Sequence, residues 1–418
     1  MLRCLGLFTA TLCCLFTIGF AVQALDPSDP KWKWMDDQIE EQFLPFQAQG
    51  ITPEMLDLTM QKTPGFKYTD YIYVKRHQII DGEIHGPDGD ARDFLSTLIQ
   101  LYPLPDLDVI IYIQDMIWTP ELLACPVLAT CTIKNKTDKI IFFPLQLINY
   151  WEDFSKIVND ISKNSPWEAK YPVVFWRGGM NDYDNPYNKA EWTTTPRGKL
   201  CYLSKYFPQF IDATFSNMVR LEGEGIKNDF QQLFPIETTS WEEHLRYKYL
   251  IDLDGSVAST PGCAWKLLSN CALFKQDSPY LLWYFSQLQP WVHYIPVAQN
   301  LSDLFLKIEW AREHDDEVRQ IAENGRAFAQ ENIMPEHLYL YCYKVLKKYA
   351  SLQRTRSTTP VPPVAETPPA IPAPLPDVVP APTTPVSPAA TPHQTNKKKE
   401  KKKKRKKNKH RKSMEIYF

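Results

Sequence analysis

The sequence predicts an α/β layered fold with parallel sheets. Three continuous apolar runs, Asp108–Gln114, Lys139–Phe143 and Tyr171–Trp176, read as strands buried on both faces. Helical patterns sit between and after them, at Trp151–Ile161 and Asp303–His314. Short strands alternating with helices are the mark of helix-covered sheets. A 44% apolar content with 12 Trp, 21 Tyr and 21 Phe supplies the core, and 418 residues suffice for two core-bearing domains once the tails are set aside.

The elements follow in chain order. Arg3 precedes an uncharged stretch from Cys4 to Leu25, and Val22-Gln23-Ala24 ends in the small residues a signal peptidase accepts. Residues 1–24 are therefore expected to be a signal peptide or a retained membrane anchor, which makes the protein exported or membrane-tethered. A helical lead-in runs from Lys31 to about Met60. Strands are expected at Tyr71–Val74 and Gln78–Ile80, with turns at Asp81-Gly82 and Asp88-Gly89. After the apolar strands, Arg319–Glu331 and His337–Ala350 read as closing helices, and the globular part ends near Leu352.

Two segments lie beyond it. Residues 353–395 form a Pro-rich linker, with 13 prolines between Pro360 and Pro392, and this composition propagates neither helix nor sheet. Residues 396–418 are a basic tail. Lys397 to Lys412 holds 13 Lys and Arg against one Glu, so the net charge of -2 conceals an acidic body joined to a polycation. The tail has no aromatics among its charges and no recognition module, which excludes specific nucleic-acid binding and suits anionic membranes or other polyanions. Cys125, Cys131, Cys201, Cys263, Cys271 and Cys342 allow up to three disulfides, with a local Cys125–Cys131 pair as one option and buried free thiols as the other. No CxxC pair occurs, so no structural zinc is expected.

The stretch Tyr247 to Lys275, YKYLIDLDGSVASTPGCAWKLLSNCALFK, carries the chemistry. An apolar strand runs into Asp254-Gly255, then small residues, then an amphipathic helix. That order sets backbone N–H groups around a phosphate. Gly255, Ser256, Val257, Ala258, Ser259 and Thr260 form the loop, and Lys266 adds charge. It is neither a Walker A loop nor GxGxxG, and a plain strand–helix connection reads equally well.

The same stretch, with Gln289-Pro290-Trp291-Val292-His293-Tyr294-Ile295-Pro296-Val297, resembles the signature block of glycosyltransferase family 90, the capsule-associated-protein and protein O-glucosyltransferase group. Phe175-Trp176-Arg177-Gly178-Gly179 resembles its "FRG" element and Phe210-Ile211-Asp212-Ala213 its "VDA" step. Trp310 to Asn332 resembles its closing helix. The resemblance spans Asp108 to Ala350. It implies a GT-B-like fold, with two Rossmann-type lobes and a donor cleft between them. The catalytic region would be residues 25–352, with an acceptor-side lobe at about 60–170, a donor-side lobe at about 171–335 and closing helices to 352.

The activity implied is inverting transfer of a sugar, usually glucose or xylose, from a UDP-sugar to a hydroxyl of a glycan, lipopolysaccharide or protein. Such chemistry needs a carboxylate to take the acceptor proton and cations or N–H groups for the departing diphosphate. By resemblance Arg177 is a diphosphate or acceptor-side cation, the Gly255–Thr260 loop holds the nucleotide, and Asp138, before a strand-like element, is the base. Asp115, at the carboxyl end of the first apolar strand, is the second candidate, because that is the sheet edge where open α/β folds bind ligands.

Three departures stand out. Ala264 occupies the place two residues before Lys266 where relatives often carry Arg, the Pro144–Trp151 stretch is short, and the chain closes without a KDEL-like ending. Asp252-Leu253-Asp254 is a DxD that recurs at Asp106-Leu107-Asp108, so it reads as a strand end, and no metal cofactor is expected. His293 reads as a hydrogen-bonded core histidine. Sequons stand at Asn135 and Asn300. The resemblance suits a secretory-pathway lumen or a bacterial envelope. A rival expectation is a catalytically lapsed member that binds polysaccharide or anionic surfaces through its basic tail, and a third is a metal-dependent transferase.

Overall fold

In the computed structural model of the chain, the described residues are 22–63, 69–75, 78–84, 90–112, 116–135, 138–180, 195–218, 231–232 and 234–354. The expected signal or anchor up to residue 21, the turn at Asp88-Gly89, Asp115, most of the linker and the basic tail lie outside them. Among the described residues no helix is long and apolar enough to cross a membrane.

The lead-in forms two helices, α1 (Lys33–Gln47) and α2 (Pro53–Lys62). Gly50 at φ 74° breaks them, a left-handed conformation that glycine adopts at no steric cost. Ile51 then bridges to Gln353, and the Thr52 hydroxyl caps α2 by accepting from Met55 N–H.

The first sheet comprises β1 (Thr69–Lys75), β2 (Gln78–Ile84), β3 (Leu107–Tyr112), β4 (Val127–Ala129) and β6 (Ile140–Phe142), in the order β2-β1-β3-β4-β6. β1 runs antiparallel to both β2 and β3, whereas β3, β4 and β6 are parallel. This sheet is mixed, where parallel sheets were expected. The expected turn at Asp81-Gly82 is instead strand, because Asp81 pairs with Ile72 of β1 and Gly82 lies at a register irregularity after which Ile84 pairs with Asp70. α3 (Asp90–Leu101) precedes β3, and α4 (Leu145–Lys163) follows β6.

The second sheet is wholly parallel. It contains β7 (Tyr171–Gly179), β8 (Ile211–Asn217), β9 (Tyr247–Asp252), β10 (Ala272–Gln276) and β12 (Ile295–Val297), in the order β12-β10-β9-β7-β8. Its helices are α5 (Pro196–Tyr206), the short α6 (Trp241–His244), α7 (Thr260–Leu268), α8 (Leu304–Glu313) and α9 (Asp315–Asn332). α10 (Pro335–Leu352) closes the fold by returning to the first sheet. There Lys344 pairs with Asp36 at 2.7 Å and Lys348 with Glu40 at 2.6 Å, and Gln353 Oε1 accepts from Asp108 N–H at 3.0 Å.

A helix pair and a ribbon join the sheets. α4 packs on α7, and the ribbon β5 (Cys131–Ile133) with β11 (Tyr280–Leu282) pairs a segment after β4 with one after β10. One core cluster runs from α1 and α10 through the first sheet to α7, and a second fills the other face of the parallel sheet with Trp176, Phe215, Phe274 and Ile308.

The six described cysteines are buried free thiols, so the option of disulfides gives way to the alternative. Cys125 and Cys131 do not pair: Cys125 Sγ sits 3.2 Å from Thr59 Oγ1 in α2, while Cys131 opens the ribbon. Burial pushes the Cys125 thiol up to about 11.

Candidate active site

The site follows from the order of the parallel sheet. Taken in chain order its strands lie 2-1-3-4-5, and the direction of winding reverses between β7 and β9. In open α/β sheets ligands bind outside the carboxyl ends of the strands at such a reversal. α5 begins after β7 and α7 after β9, so both helix N-termini lie at that edge.

Arg197, in the first turn of α5, spans the crevice. Its Nη1 donates to Gly179 O at 2.7 Å, at the end of β7. Nε donates to Asp254 O at 2.8 Å and Nη2 to Leu253 O at 3.2 Å, just beyond β9. The guanidinium lies over the Trp176 ring, 5.6 Å from its centroid, and the residue is buried. Sequence reading missed it. The available signal was Thr195-Pro196-Arg197, a capping residue and an N1 proline placing a cation at a helix start.

The Gly255–Thr260 loop leads from this crevice into α7. Val257, Ala258 and Thr260 are buried, while Gly255, Ser256 and Ser259 stay half-buried at the rim. Gly255 N–H donates to Val257 O at 2.9 Å, and Asp254 N–H to Gln276 Oε1 at 3.0 Å, which ties the loop to β10. Gly262 is required by close approach: a Cβ there would stand 1.9 Å from Ser259 Oγ. Desolvation raises the Asp254 carboxyl to about 6, against the favourable Ser278 hydrogen bond and the charge of Lys275.

Two expected donor cations are held in ion pairs. Lys266 Nζ pairs with Asp252 Oδ1 at 2.6 Å, with both side chains buried. Arg177 turns along the sheet face over the Phe175 ring, pairing with Asp212 at 2.8 Å and Glu237 at 3.1 Å. The DxD is divided in the same way, since Asp252 belongs to Lys266. Among the described residues no cluster of three or more His, Cys, Asp or Glu has the geometry to hold a metal. His293 is half-buried, and its Nδ1 accepts from Gln289 N–H at 3.0 Å.

Asp138 is exposed on a turn, next to Lys139, whose carbonyl accepts from Val127 N–H at 2.9 Å. That bond marks the amino ends of β4 and β6. Asp115 lies outside the described residues, but its neighbour Met116 is buried and bridges to Cys131 at the start of the ribbon. The ribbon approaches the carboxyl edge of the parallel sheet, where Lys134 N–H donates to Pro279 O at 2.8 Å. A groove of about 590 Å³, lined by Pro196, Ala298, Gln299, Asn300 and Ser302, opens at the same edge beside the start of α5.

Residues 34–413 match the profile of Glycosyl transferase family 90. The chain belongs to that family. Among the relatives of this family 90 chain, protein O-glucosyltransferase 2 of Danio rerio is 30% identical over 297 residues, covering 68% of this chain and 54% of that protein. Protein O-glucosyltransferase 3 of Homo sapiens is 28% identical, covering 64% and 51%. The chain thus spans about half the length of these first relatives. O-glucosyltransferase rumi of Drosophila melanogaster is 23% identical, covering 78% and 79%. Anabaena Alr3699/HepE in complex with UDP-glucose superposes with a TM-score of 0.34 at 11% identity over 55% of this chain and 65% of that one, a likeness too slight to bear on function.

Proposed function

We propose that this chain is an inverting glycosyltransferase that moves a sugar, glucose or xylose first among them, from a UDP-sugar to a hydroxyl of a glycan, lipopolysaccharide or protein. The observation that carries the reading is the buried Arg197 at the strand-order reversal, set beside the loop and N-terminus of α7. Family membership and the names of the relatives supply the chemistry, and the sheet order supplies the place.

On this reading the parallel sheet is the donor lobe of a GT-B-like pair and the mixed sheet the acceptor lobe, with the β5–β11 ribbon at their junction. The diphosphate lies against the Gly255–Thr260 loop and the α7 N–H groups, within the field of Arg197. As the bond from sugar to phosphate oxygen breaks, these dipoles and that cation stabilise the charge on the leaving UDP. A carboxylate takes the acceptor hydroxyl proton as the oxygen attacks the opposite face of the anomeric carbon, which inverts it. Asp115 suits this role by its edge, and Asp138 remains the rival. The donor residues act without a metal. Export rests on the apolar segment before Leu25.

The test is UDP release by the full chain from UDP-glucose, UDP-xylose and UDP-galactose, with an acceptor panel, with and without chelator. Chelator-resistant release supports the reading. UDP binding without release from any donor supports the lapsed-enzyme alternative, and release lost to chelator but restored by manganese supports metal dependence.

A further inference from the structure

We propose that Lys275 is a further donor-binding residue, its ammonium facing the diphosphate from the α7 side of the sheet. This rests on the donor reading above and adds to it a cation on the strand beyond β9.

Lys275 is the fourth residue of β10, in register with Asp252 on β9 and Pro296 on β12, so it stands at the carboxyl edge. The residue is only 9% exposed, and its hydrogen bond to the carbonyl of Gln276 is a long one, 3.4 Å from Nζ. No described carboxylate lies within ion-pair distance of it, in contrast to the engaged Lys266 and Arg177. Nζ lies 4.2 Å from the centroid of Phe285 and 6.0 Å from that of Tyr294. Ring faces return only part of the hydration that a buried ammonium gives up.

The ammonium also acts on the right neighbours. Its charge lowers the pKa of Asp254, where the loop begins, and of Cys263, in the first turns of α7. The cation and the helix N-terminus therefore border the same space, and phosphate oxygens there would satisfy both. A buried cation with no described carboxylate in ion-pair distance costs stability in the free protein, and an anionic ligand offsets that cost on binding.

The experiment titrates UDP and uridine into the full chain and into K275M, which keeps the length of the side chain and removes its charge. UDP affinity should fall about 10- to 100-fold in K275M while uridine affinity stays unchanged, and K275R should recover part of the loss. The free K275M protein should melt no lower than wild type. Equal UDP affinity in both proteins, equal losses for UDP and uridine, or a lower melting point of free K275M would each overturn the proposal. A wild-type chain that binds uridine but shows no gain for UDP would overturn it too. Failure of the wild type to bind either would sink the donor reading itself, a different result from any of these.

Discussion

Lys266 Nζ stands 2.6 Å from Asp252 Oδ1 beneath the loop that leads into α7, with the two side chains 9% and 4% exposed. The pair fastens α7 to β9, and so sets where the helix N-terminus meets the sheet edge. Removing one partner strands the other as a buried charge, which typically costs about 3–5 kcal/mol. K266M is therefore expected to lose stability on that scale in urea denaturation, and K266M combined with D252L to recover much of it. A Lys266 serving mainly the phosphate would instead leave stability intact.

Arg177 is predicted to be a structural residue as well. Its ion pairs with Asp212 and Glu237 direct the guanidinium along the sheet face. Because both partners are substantially exposed, R177M should cost only about 1–2 kcal/mol. UDP affinity, compared by calorimetry at a temperature where both proteins are folded, should stay within about 2-fold, less than one lost charged hydrogen bond.

Gly262→Ala tests the tightness of the loop. The added methyl would stand 1.9 Å from Ser259 Oγ and 3.2 Å from both Asp252 Oδ1 and Lys266 Nζ. Ser259 must turn away and the buried pair must give, at a cost of about 1–3 kcal/mol. Weaker UDP binding should accompany the lower melting point, since the displaced groups form the loop itself.

The pH dependence of stability has two opposed parts. Desolvation holds the buried imidazoles of His244 and His337 down to about 4, below their ordinary 6.5. Their folded-state pKa values are depressed, so stability is full above about 6.5 and is lost as pH falls toward 4. Asp254 works the other way. Its carboxyl is raised from 3.8 to about 6, so its ionisation costs stability as pH rises through that window. D254N should raise stability at pH 7 by roughly 2 kcal/mol and change it little at pH 4. H337Q should flatten the acid limb, since an amide oxygen can still accept from Met334 N–H as His337 Nδ1 does. Melting curves at both pH values check each change.

Buried strands declared themselves in the sequence because both of their faces are apolar: Tyr171–Trp176 and Asp108–Gln114 each seed a strand. The antiparallel β1–β2 pair was harder, since Asp81-Gly82 reads locally as a turn and only pairing across to β1 makes it strand. The Gly255–Thr260 loop was legible as strand, small residues and helix. What the cations do was not. Lys266 and Asp252 are 14 residues apart, and Arg177 meets Asp212 across 35, so their pairing is a property of the sheet rather than of spacing. Arg197 and Lys275 gain their significance from strand order, which local periodicity does not encode. Asp138 and Asp115 are hard to rank from the sequence for the same reason, because two acidic residues near strands look alike there, one before β6 and the other after β3.

The most direct measurement compares UDP release from UDP-glucose by D115N and D138N with that of the wild-type full chain, alongside UDP binding by all three. The account predicts that D115N binds UDP as wild type does and loses release by at least about 100-fold, the scale of general-base catalysis, while D138N keeps both. Release abolished in D138N and retained in D115N would contradict the placement of the reaction at the carboxyl edge.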